Sequence, residues 1–292
     1  MKLYICGNGF DLNHGLATGY WNYREFLQDN YYNTFQRFSD CEYIGQDFSF
    51  SERWSDLENA LTINYEECVG DAIDNYYPDL NDDSESRWNG IDIDLEEQTK
   101  FVHDFTGKYL LEWLNSIDIY GVQPKLTIDI NSCFLTFNYT ETLEQIYHIS
   151  LPDILHIHGS LENDSEIQFG SIDNNAKKIR KNLERQYGDD DFYSVSIEPG
   201  VYQILSYCKA AYKNLETNYE RLSAFISNYQ IDEIVIMGHS YMGIDFPYYR
   251  DVIVPMLVKC KWNFFCHSQE DYNNAQYFVN YFHLAQYQFI NW

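Results

Sequence analysis

The sequence predicts an α/β fold in which helices cover both faces of a parallel sheet, giving three layers. Short apolar segments alternate with longer segments of helical spacing, which is the pattern of a parallel sheet. Four of the apolar segments end in a turn rich in glycine or polar residues. The first and second strands are separated by a stretch far longer than an ordinary crossover. This stretch predicts a large helical insertion over residues 20–125 of a single domain, 1–292.

The first strand and the turn after it carry the clearest local signal. Residues 3–6 are apolar and too few for a helix, so they predict a buried strand. The turn Gly7-Asn8-Gly9 follows, and its two glycines permit a sharp bend and a close approach to a ligand. Asp11 can cap the next helical turn or hold a ligand hydroxyl. The segment therefore predicts a cradle for a phosphate or a ribose, and a tight turn without a ligand is the alternative.

The predicted insertion is mostly helical. Helices are expected over residues 20–37, from Ser55 as the N-cap to about residue 76, and over residues 95–117, with a solvated acidic loop at 78–94. Trp54 is expected in the core and Glu58 at a capping position. The alternative is that both side chains reach into the ligand cleft.

The rest of the chain supplies the other strands and helices. Strands are predicted at residues 133–137, 154–157, 167–170, 233–237 and 262–266, and helices at 201–229 and 249–260. Residues 174–187 form the one basic segment. An exposed helix face and a lid that touches phosphate are its two interpretations.

Four polar turns are expected to meet at one edge of the sheet. The carboxyl ends of parallel strands share an edge, and ligands bind there. The turns are Gly7-Asn8-Gly9 with Asp11, Asn138, His158-Gly159, and Gly238-His239-Ser240 with Asp245. Each has a simpler explanation when taken alone, since Asn138 and Ser240 can both cap helices. Their convergence on one edge predicts a ligand site.

Residues 236–243 also resemble the nucleophile elbow of serine hydrolases. That motif places a glycine two residues after the serine, whereas Met242 follows Ser240 at this distance. Asp245 and the later histidines, His267 and His283, keep the order serine, aspartate, histidine. A serine hydrolase that uses Ser240 is therefore an alternative.

Composition and charge narrow the class of protein. Of the 292 residues 45% are hydrophobic, so the chain can bury a large core. The net charge of −26 disfavours free nucleic acid as a partner, because such binding depends on lysine and arginine. The seven cysteines include no Cys-x-x-Cys pair, so neither a disulfide framework nor a zinc site is expected. Without a signal peptide or a run of about 18 apolar residues, a cytoplasmic protein with no membrane partner is expected.

Several of these blocks resemble the AbiH family of bacterial abortive-infection proteins. The blocks are residues 7–20, Trp54 with Glu58, residues 136–140, residues 156–160, and residues 236–240 with Asp245. The first block, Gly-Asn-Gly-Phe-Asp-Leu-Asn-His-Gly-Leu-Ala-Thr-Gly-Tyr, is the most specific. The resemblance implies defence against bacteriophage, in which an infected cell stops growing or dies before phage are released.

The same blocks are more distantly similar to the SIR2-like domains of other phage-defence systems, some of which hydrolyse NAD. This resemblance implies a Rossmann-like, SIR2-like fold with an NAD pocket. Asn138 would orient the nicotinamide ribose or a water molecule, and His158 would be the general base. The residues that would contact the dinucleotide are Gly7, Asn8, Gly9, Asp11, Gly159, Gly238, His239, Ser240 and Asp245. The zinc-binding cysteines of sirtuin deacylases are missing, so neither a metal nor deacylation is expected.

The leading prediction from the sequence is an antiphage protein that hydrolyses NAD(P) to nicotinamide and ADP-ribose. Such chemistry passes through an oxocarbenium-like state and needs orientation, one base and a water-poor pocket. A non-catalytic module that binds a nucleotide or a phage signal is the alternative. Candidate partners are a nucleotide-like small molecule, a phage-derived trigger and, in a homo-oligomer, a second copy of the chain.

Overall fold

The computed structural model describes residues 1–45, 54, 56–78, 88–161 and 167–292. By the contacts between its residues, the chain divides into two compact units. The first unit comprises Met1–Gly19, Leu114–Ile167 and Asn214–Trp292, and the second comprises Tyr20–Trp113 and Gln168–Lys213. The assignment of one domain, 1–292, with an insertion over 20–125 stays a prediction.

The first unit is built on a six-stranded sheet in which all neighbouring strands are parallel. The strands are β1 (Lys2–Cys6), β2 (Cys133–Thr136), β3 (Ile154–His156), β4 (Glu233–Met237), β5 (Lys261–Cys266) and β6 (Tyr287–Asn291). Their spatial order is β3-β2-β1-β4-β5-β6. This is the order of doubly wound dinucleotide-binding sheets, whose switch point lies between β1 and β4. The predicted α/β, Rossmann-like class is confirmed.

Alternate residues of β1 face opposite sides of the sheet, because side chains alternate along a strand. Leu3 and Ile5 belong to a buried cluster that includes Ile236, Trp262, Phe264, Leu222 and Phe278. Tyr4 and Cys6 belong to a second cluster that includes Phe134, Val235, Leu143 and Ile146. Both faces of the central strand are therefore covered, which produces the three layers.

The helices of the first unit follow the strands. They span Asn8–Asn13, Thr142–Tyr147, Leu215–Ser227, Phe246–Tyr248, Val254–Leu257 and Gln269–Phe282. A π-helical segment, Tyr249–Ile253, joins the fourth to the fifth, so the predicted helix at 249–260 is observed as a continuous run from Phe246 to Leu257. Ser268 and Asp271 form a capping box at the start of the last helix.

The described residues of the second unit form helices that are joined by turns and loops. Its helices span Tyr20–Asn30, Tyr32–Asp40, Leu57–Ala60, Tyr65–Tyr76, Gly90–Thr99, Phe101–His103, Ala176–Tyr187 and Glu198–Ala210, with π-helical segments at Asp104–Lys108 and Tyr193–Ile197. The helix Tyr109–Asn115 follows the first π-helical segment and carries the chain into the first unit. Asn64 and Asn175 cap two of the helices by accepting backbone N–H bonds.

Two predicted residues of the second unit have clear environments. Trp54 is fully buried, as predicted. Glu58 forms an ion pair in which its Oε2 lies 2.7 Å from Nζ of Lys213, and both side chains are almost entirely buried. The predicted N-cap Ser55 lies outside the described residues.

Several predicted elements differ from the observed ones, and one strand was missed. The helices predicted at 20–37 and from Ser55 to about residue 76 are each divided, into Tyr20–Asn30 with Tyr32–Asp40 and into Leu57–Ala60 with Tyr65–Tyr76. Residues 167–170 form no strand, because Gly170 has a φ of 136° and only an isolated bridge joins Ser171 to Tyr212. The single helix predicted at 201–229 is two helices, since Asn214 starts a new one by accepting from the backbone N–H of Thr217. The strand β6 had no clear apolar run to predict it.

None of the helices in the described ranges combines the length and the apolar character that a membrane span requires.

Candidate functional site

The turns after β1 and β4 pack directly against each other at the switch point. The backbone N–H of Gly7 donates to the carbonyl of Met237 (3.1 Å), and that of Gly9 donates to the carbonyl of Gly238 (2.8 Å). A Cβ atom on Gly7 would lie 2.7 Å from the carbonyl oxygen of Gly238, and one on Gly9 would lie 2.7 Å from the Cα of Gly238. Both contacts are too close for a side chain, so each glycine is required by the opposite backbone.

Gly238 is constrained twice. Its φ of 62° lies in the left-handed region that favours glycine. A Cβ atom at this position would also lie 2.1 Å from the backbone nitrogen of Phe10. The glycines of the two turns therefore have a packing function that needs no ligand. Asn8, between the glycines of the first turn, is exposed.

Asn138 connects the end of β2 to the first turn. Its side-chain amide donates to the carbonyl of Gly7 (3.1 Å), and its backbone N–H donates to the hydroxyl of Thr136 (3.1 Å). The side chain is almost completely buried, with 7% of the residue exposed. Asn138 thus holds the β1 turn and the β2 end in register.

Three predicted residues come together beside this turn. The carboxylate of Asp245 lies between two imidazoles: Oδ1 is 3.6 Å from Nε2 of His158, and Oδ2 is 3.4 Å from Nε2 of His239. The carboxylate is 17% exposed, whereas His158 is 2% exposed. One negative charge can therefore stabilise a proton on either ring.

The hydrogen bonds of His239 fix its tautomer. Its Nδ1 accepts from the backbone N–H of Tyr241 (3.0 Å) and lies 2.9 Å from the hydroxyl of Tyr249. A backbone N–H can only donate, so Nδ1 is unprotonated in the neutral ring and the proton sits on Nε2. Nε2 is also the ring nitrogen that lies 3.4 Å from Oδ2 of Asp245.

Aromatic side chains that the sequence did not single out surround the two histidines. The Phe137 ring is 4.0 Å from His239 and 5.5 Å from His158, centroid to centroid. The hydroxyl of Tyr248 lies 3.3 Å from Nε2 of His158 and accepts from the amide of Asn218 (2.9 Å). Burial raises the pKa of Tyr249 well above its usual value. Tyr248 and Tyr249 follow Asp245 by three and four residues. In a helix this spacing brings side chains together, and it was the signal in the sequence that could have identified the two tyrosines.

Asp11 and Gly159 lie inside the structure and not at its surface. The Asp11 carboxylate accepts a hydrogen bond from the hydroxyl of Thr140. Burial raises its pKa from 3.8 to about 6, although hydrogen bonds from neighbours, led by Thr140, act in the opposite direction. Gly159 has a φ of 85° and is buried after β3. The hydroxyl that Asp11 binds is therefore that of Thr140 in the same chain, whereas the sequence suggested a ligand hydroxyl as one of two roles.

A cavity of about 470 Å³ opens at the carboxyl ends of β4 and β5. It is lined by Gly9, Leu12, Asn13, Gly238, His239, Ser240, Tyr241, Phe265, His267, Asp271, Asn274 and Trp292. Four of the predicted residues are in this set: Gly9, Gly238, His239 and Ser240. The predicted catalytic pair, Asn138 and His158, does not line the cavity. The most buried imidazole, that of His158, is therefore not part of the cavity lining.

Residues 3–266 match the family model described as bacteriophage abortive infection AbiH. The chain belongs to this family. Comparisons with curated proteins and with solved structures returned no match. The AbiH assignment gives the protein a role in abortive infection, the defence against phage that the resemblance implied.

The AbiH blocks supply much of the arrangement around the switch point. Residues 7–20 provide the first turn and Asp11, residues 136–140 provide Phe137 and Asn138, and residues 236–240 provide the second turn. In chemical terms, the site offers the pair of His158 and Asp245, which can accept a proton. It also offers His239, whose neutral ring is a hydrogen-bond donor through Nε2. Ser240 is exposed, and in the described part of the chain its hydroxyl bonds to no histidine.

Proposed function

We propose that this AbiH protein binds a nucleotide at the carboxyl edge of its sheet and hydrolyses NAD(P) to nicotinamide and ADP-ribose. The observation that carries the proposal is the strand order, which places the switch point between β1 and β4. In sheets of this order, nucleotides bind in the crevice at that point. The cavity and the group of His158, His239 and Asp245 lie at the same edge.

The reaction would use the side chains as follows. A water molecule attacks the anomeric carbon of the nicotinamide ribose as the bond to the ring nitrogen breaks, and the electron pair leaves with nicotinamide. His158 accepts the proton from the water, and Asp245 stabilises the resulting imidazolium. Asn138 keeps the β1 turn in place through its bond to Gly7 and would orient the nicotinamide ribose or the water. The products are nicotinamide, ADP-ribose and one proton.

The test is nicotinamide release by the purified full chain, followed by chromatography. His158→Gln is expected to lower the release rate by about 100-fold or more, since a general base contributes roughly that much. Asn138→Ala is also expected to lower it, because the β1 turn loses its bond to the Asn138 amide. His14→Gln is the matched control, because His14 is also buried but its ring bonds to the carbonyl of Phe10 and the hydroxyl of Tyr147. Equal loss in the control, or full activity in His158→Gln, would contradict the assignment of His158 as the base. Thermal unfolding of each variant shows whether it is folded.

One observation favours a second candidate function, a binding module without turnover. Asn138 and His158 are 7% and 2% exposed, and neither lines the cavity. A ligand in that cavity would then meet the two turns and not the predicted base. On this alternative, NAD or a related nucleotide binds to the wild type while no nicotinamide appears.

A serine hydrolase that uses Ser240 predicts a third result. Ser240→Ala would abolish its activity, whereas His158→Gln would remain active.

A further inference from the structure

The cavity beside the two turns has the size and the walls of a small-molecule site. Its volume of about 470 Å³ falls in the usual range for such sites. Three aromatic side chains line it, Tyr241, Phe265 and Trp292, and the rings of the last two meet edge to face at 6.0 Å. Flat apolar faces of this kind bind flat rings by stacking.

The charges around the cavity are unsuited to phosphate. No lysine or arginine is among the described residues that line it, whereas the carboxylate of Asp271 is. This carboxylate accepts backbone N–H bonds from His267 and Ser268, which hold it at the helix start. Lys125 donates to the backbone carbonyl of Asn13 from an exposed position but is not a lining residue. A phosphate inside the cavity would therefore face a negative charge without a lining lysine or arginine.

The glycine turns do not provide a phosphate cradle either. In dinucleotide-binding sheets the glycines let the pyrophosphate approach the backbone. Here the N–H groups of Gly7 and Gly9 already donate to the carbonyls of Met237 and Gly238, and both glycines pack against Gly238 at distances that exclude a Cβ atom. The part of a nucleotide that suits this cavity is the part without phosphate.

Unpaired polar groups in the lining match the edge of a base. The indole N–H of Trp292 is buried and, within the described residues, has no hydrogen-bond acceptor. The side-chain amides of Asn13 and Asn274 also line the cavity and form no hydrogen bond to the described chain. An asparagine amide both donates and accepts, and it can pair with N6 and N7 of adenine at once.

We propose that this cavity binds the adenine and ribose of a nucleotide and leaves the phosphates outside. The inference rests on the proposed nucleotide-binding function and specifies which part of the ligand enters. The adenine ring stacks between the aromatic side chains, and Asn274 reads its edge. The indole N–H of Trp292 donates to a ring nitrogen or a ribose oxygen of the ligand.

The experiment is calorimetric binding of adenosine, AMP and inorganic pyrophosphate to the full chain. Adenosine is expected to bind at least as tightly as AMP, and pyrophosphate is expected not to bind. Asn274→Ala should weaken adenosine binding about tenfold, in line with the value of one bidentate base contact, and Trp292→Phe should weaken it while keeping a ring. Asn273→Ala is the matched control, because Asn273 is exposed on the same helix and does not line the cavity.

The outcomes separate this inference from the proposed function. Tighter binding of AMP than of adenosine, or binding of pyrophosphate, would overturn the exclusion of phosphate. If nicotinamide is released from NAD but adenosine neither binds nor competes, the cavity assignment fails and the proposed function stands. If adenosine, AMP and NAD all fail to bind and no nicotinamide is released, both fail.

Discussion

Asp11 shows how one buried residue couples the first turn to pH. It is 1% exposed and its carboxyl pKa is raised to about 6, chiefly by burial. In the unfolded chain the same group ionises near its ordinary value. Between these two pKa values the folded state therefore holds a proton that the unfolded state has lost. The stability that the neutral carboxyl contributes is fully present below the lower pKa and is lost as the pH rises through about 6.

Replacing Asp11 by Asn should remove this pH dependence. An amide oxygen can still accept from Thr140, and it does not ionise. As the pH rises from about 4 to about 7, the unfolding free energy of the wild type should fall by up to about 3 kcal/mol relative to Asp11→Asn. Urea unfolding at both pH values measures the difference. The exposed control Asp29→Asn accounts for the loss of one charge from a chain with a net charge of −26. If the unfolding free energies of the wild type and Asp11→Asn differ by the same amount at both pH values, Asp11 ionises at its ordinary pKa.

At the scale of elements, the two turns behave as one packed unit. Gly238 and Gly243 offer a matched comparison, because both have left-handed φ values (62° and 72°) but only Gly238 is in close contact. Gly243→Ala should cost roughly 1–2 kcal/mol of unfolding free energy from the backbone alone. Gly238→Ala should cost clearly more, since the turns must also separate. Similar costs for the two variants, measured by urea unfolding, would contradict direct packing of the turns.

The strands show why the sequence predicted five strands, among them the edge strand β3, but not β6 at the opposite edge. Strands β1 to β5 carry apolar runs because they are buried, and those runs are visible in the sequence. Strand β6 lies at the sheet edge, where Tyr287 and its neighbours are half exposed and the run is mixed. Residues 167–170 have a strand-like composition, but Gly170 takes a conformation that breaks a pleat. Composition alone does not distinguish the strand β6 from the non-strand residues 167–170, because the pairing of a strand depends on segments distant in the sequence.

At the scale of the whole molecule, the positions of the site residues were easier to predict than their access to solvent. Strand ends place Asn138, His158 and His239 at one edge, as parallel topology requires. Their burial depends on Phe137 and Tyr248, whose contacts with His239 and His158 link segments about a hundred residues apart in the chain. No local pattern encodes such contacts. Turnover of NAD and binding alone are therefore distinguished by a test on the working protein in the cell.

Infection of cells that express the full chain provides that test. If the protein hydrolyses NAD, cellular NAD should fall several-fold after phage infection, and nicotinamide should rise in parallel. His158→Gln should abolish both the NAD loss and the protection of the culture, whereas the control His14→Gln, at equal protein level, should retain them. Mass spectrometry of the nucleotide pool and phage titres supply the two readouts. Protection that persists in His158→Gln with constant NAD would mean that the base is not used, because a turnover mechanism cannot survive the loss of its proton acceptor. Binding alone would then account for the defence.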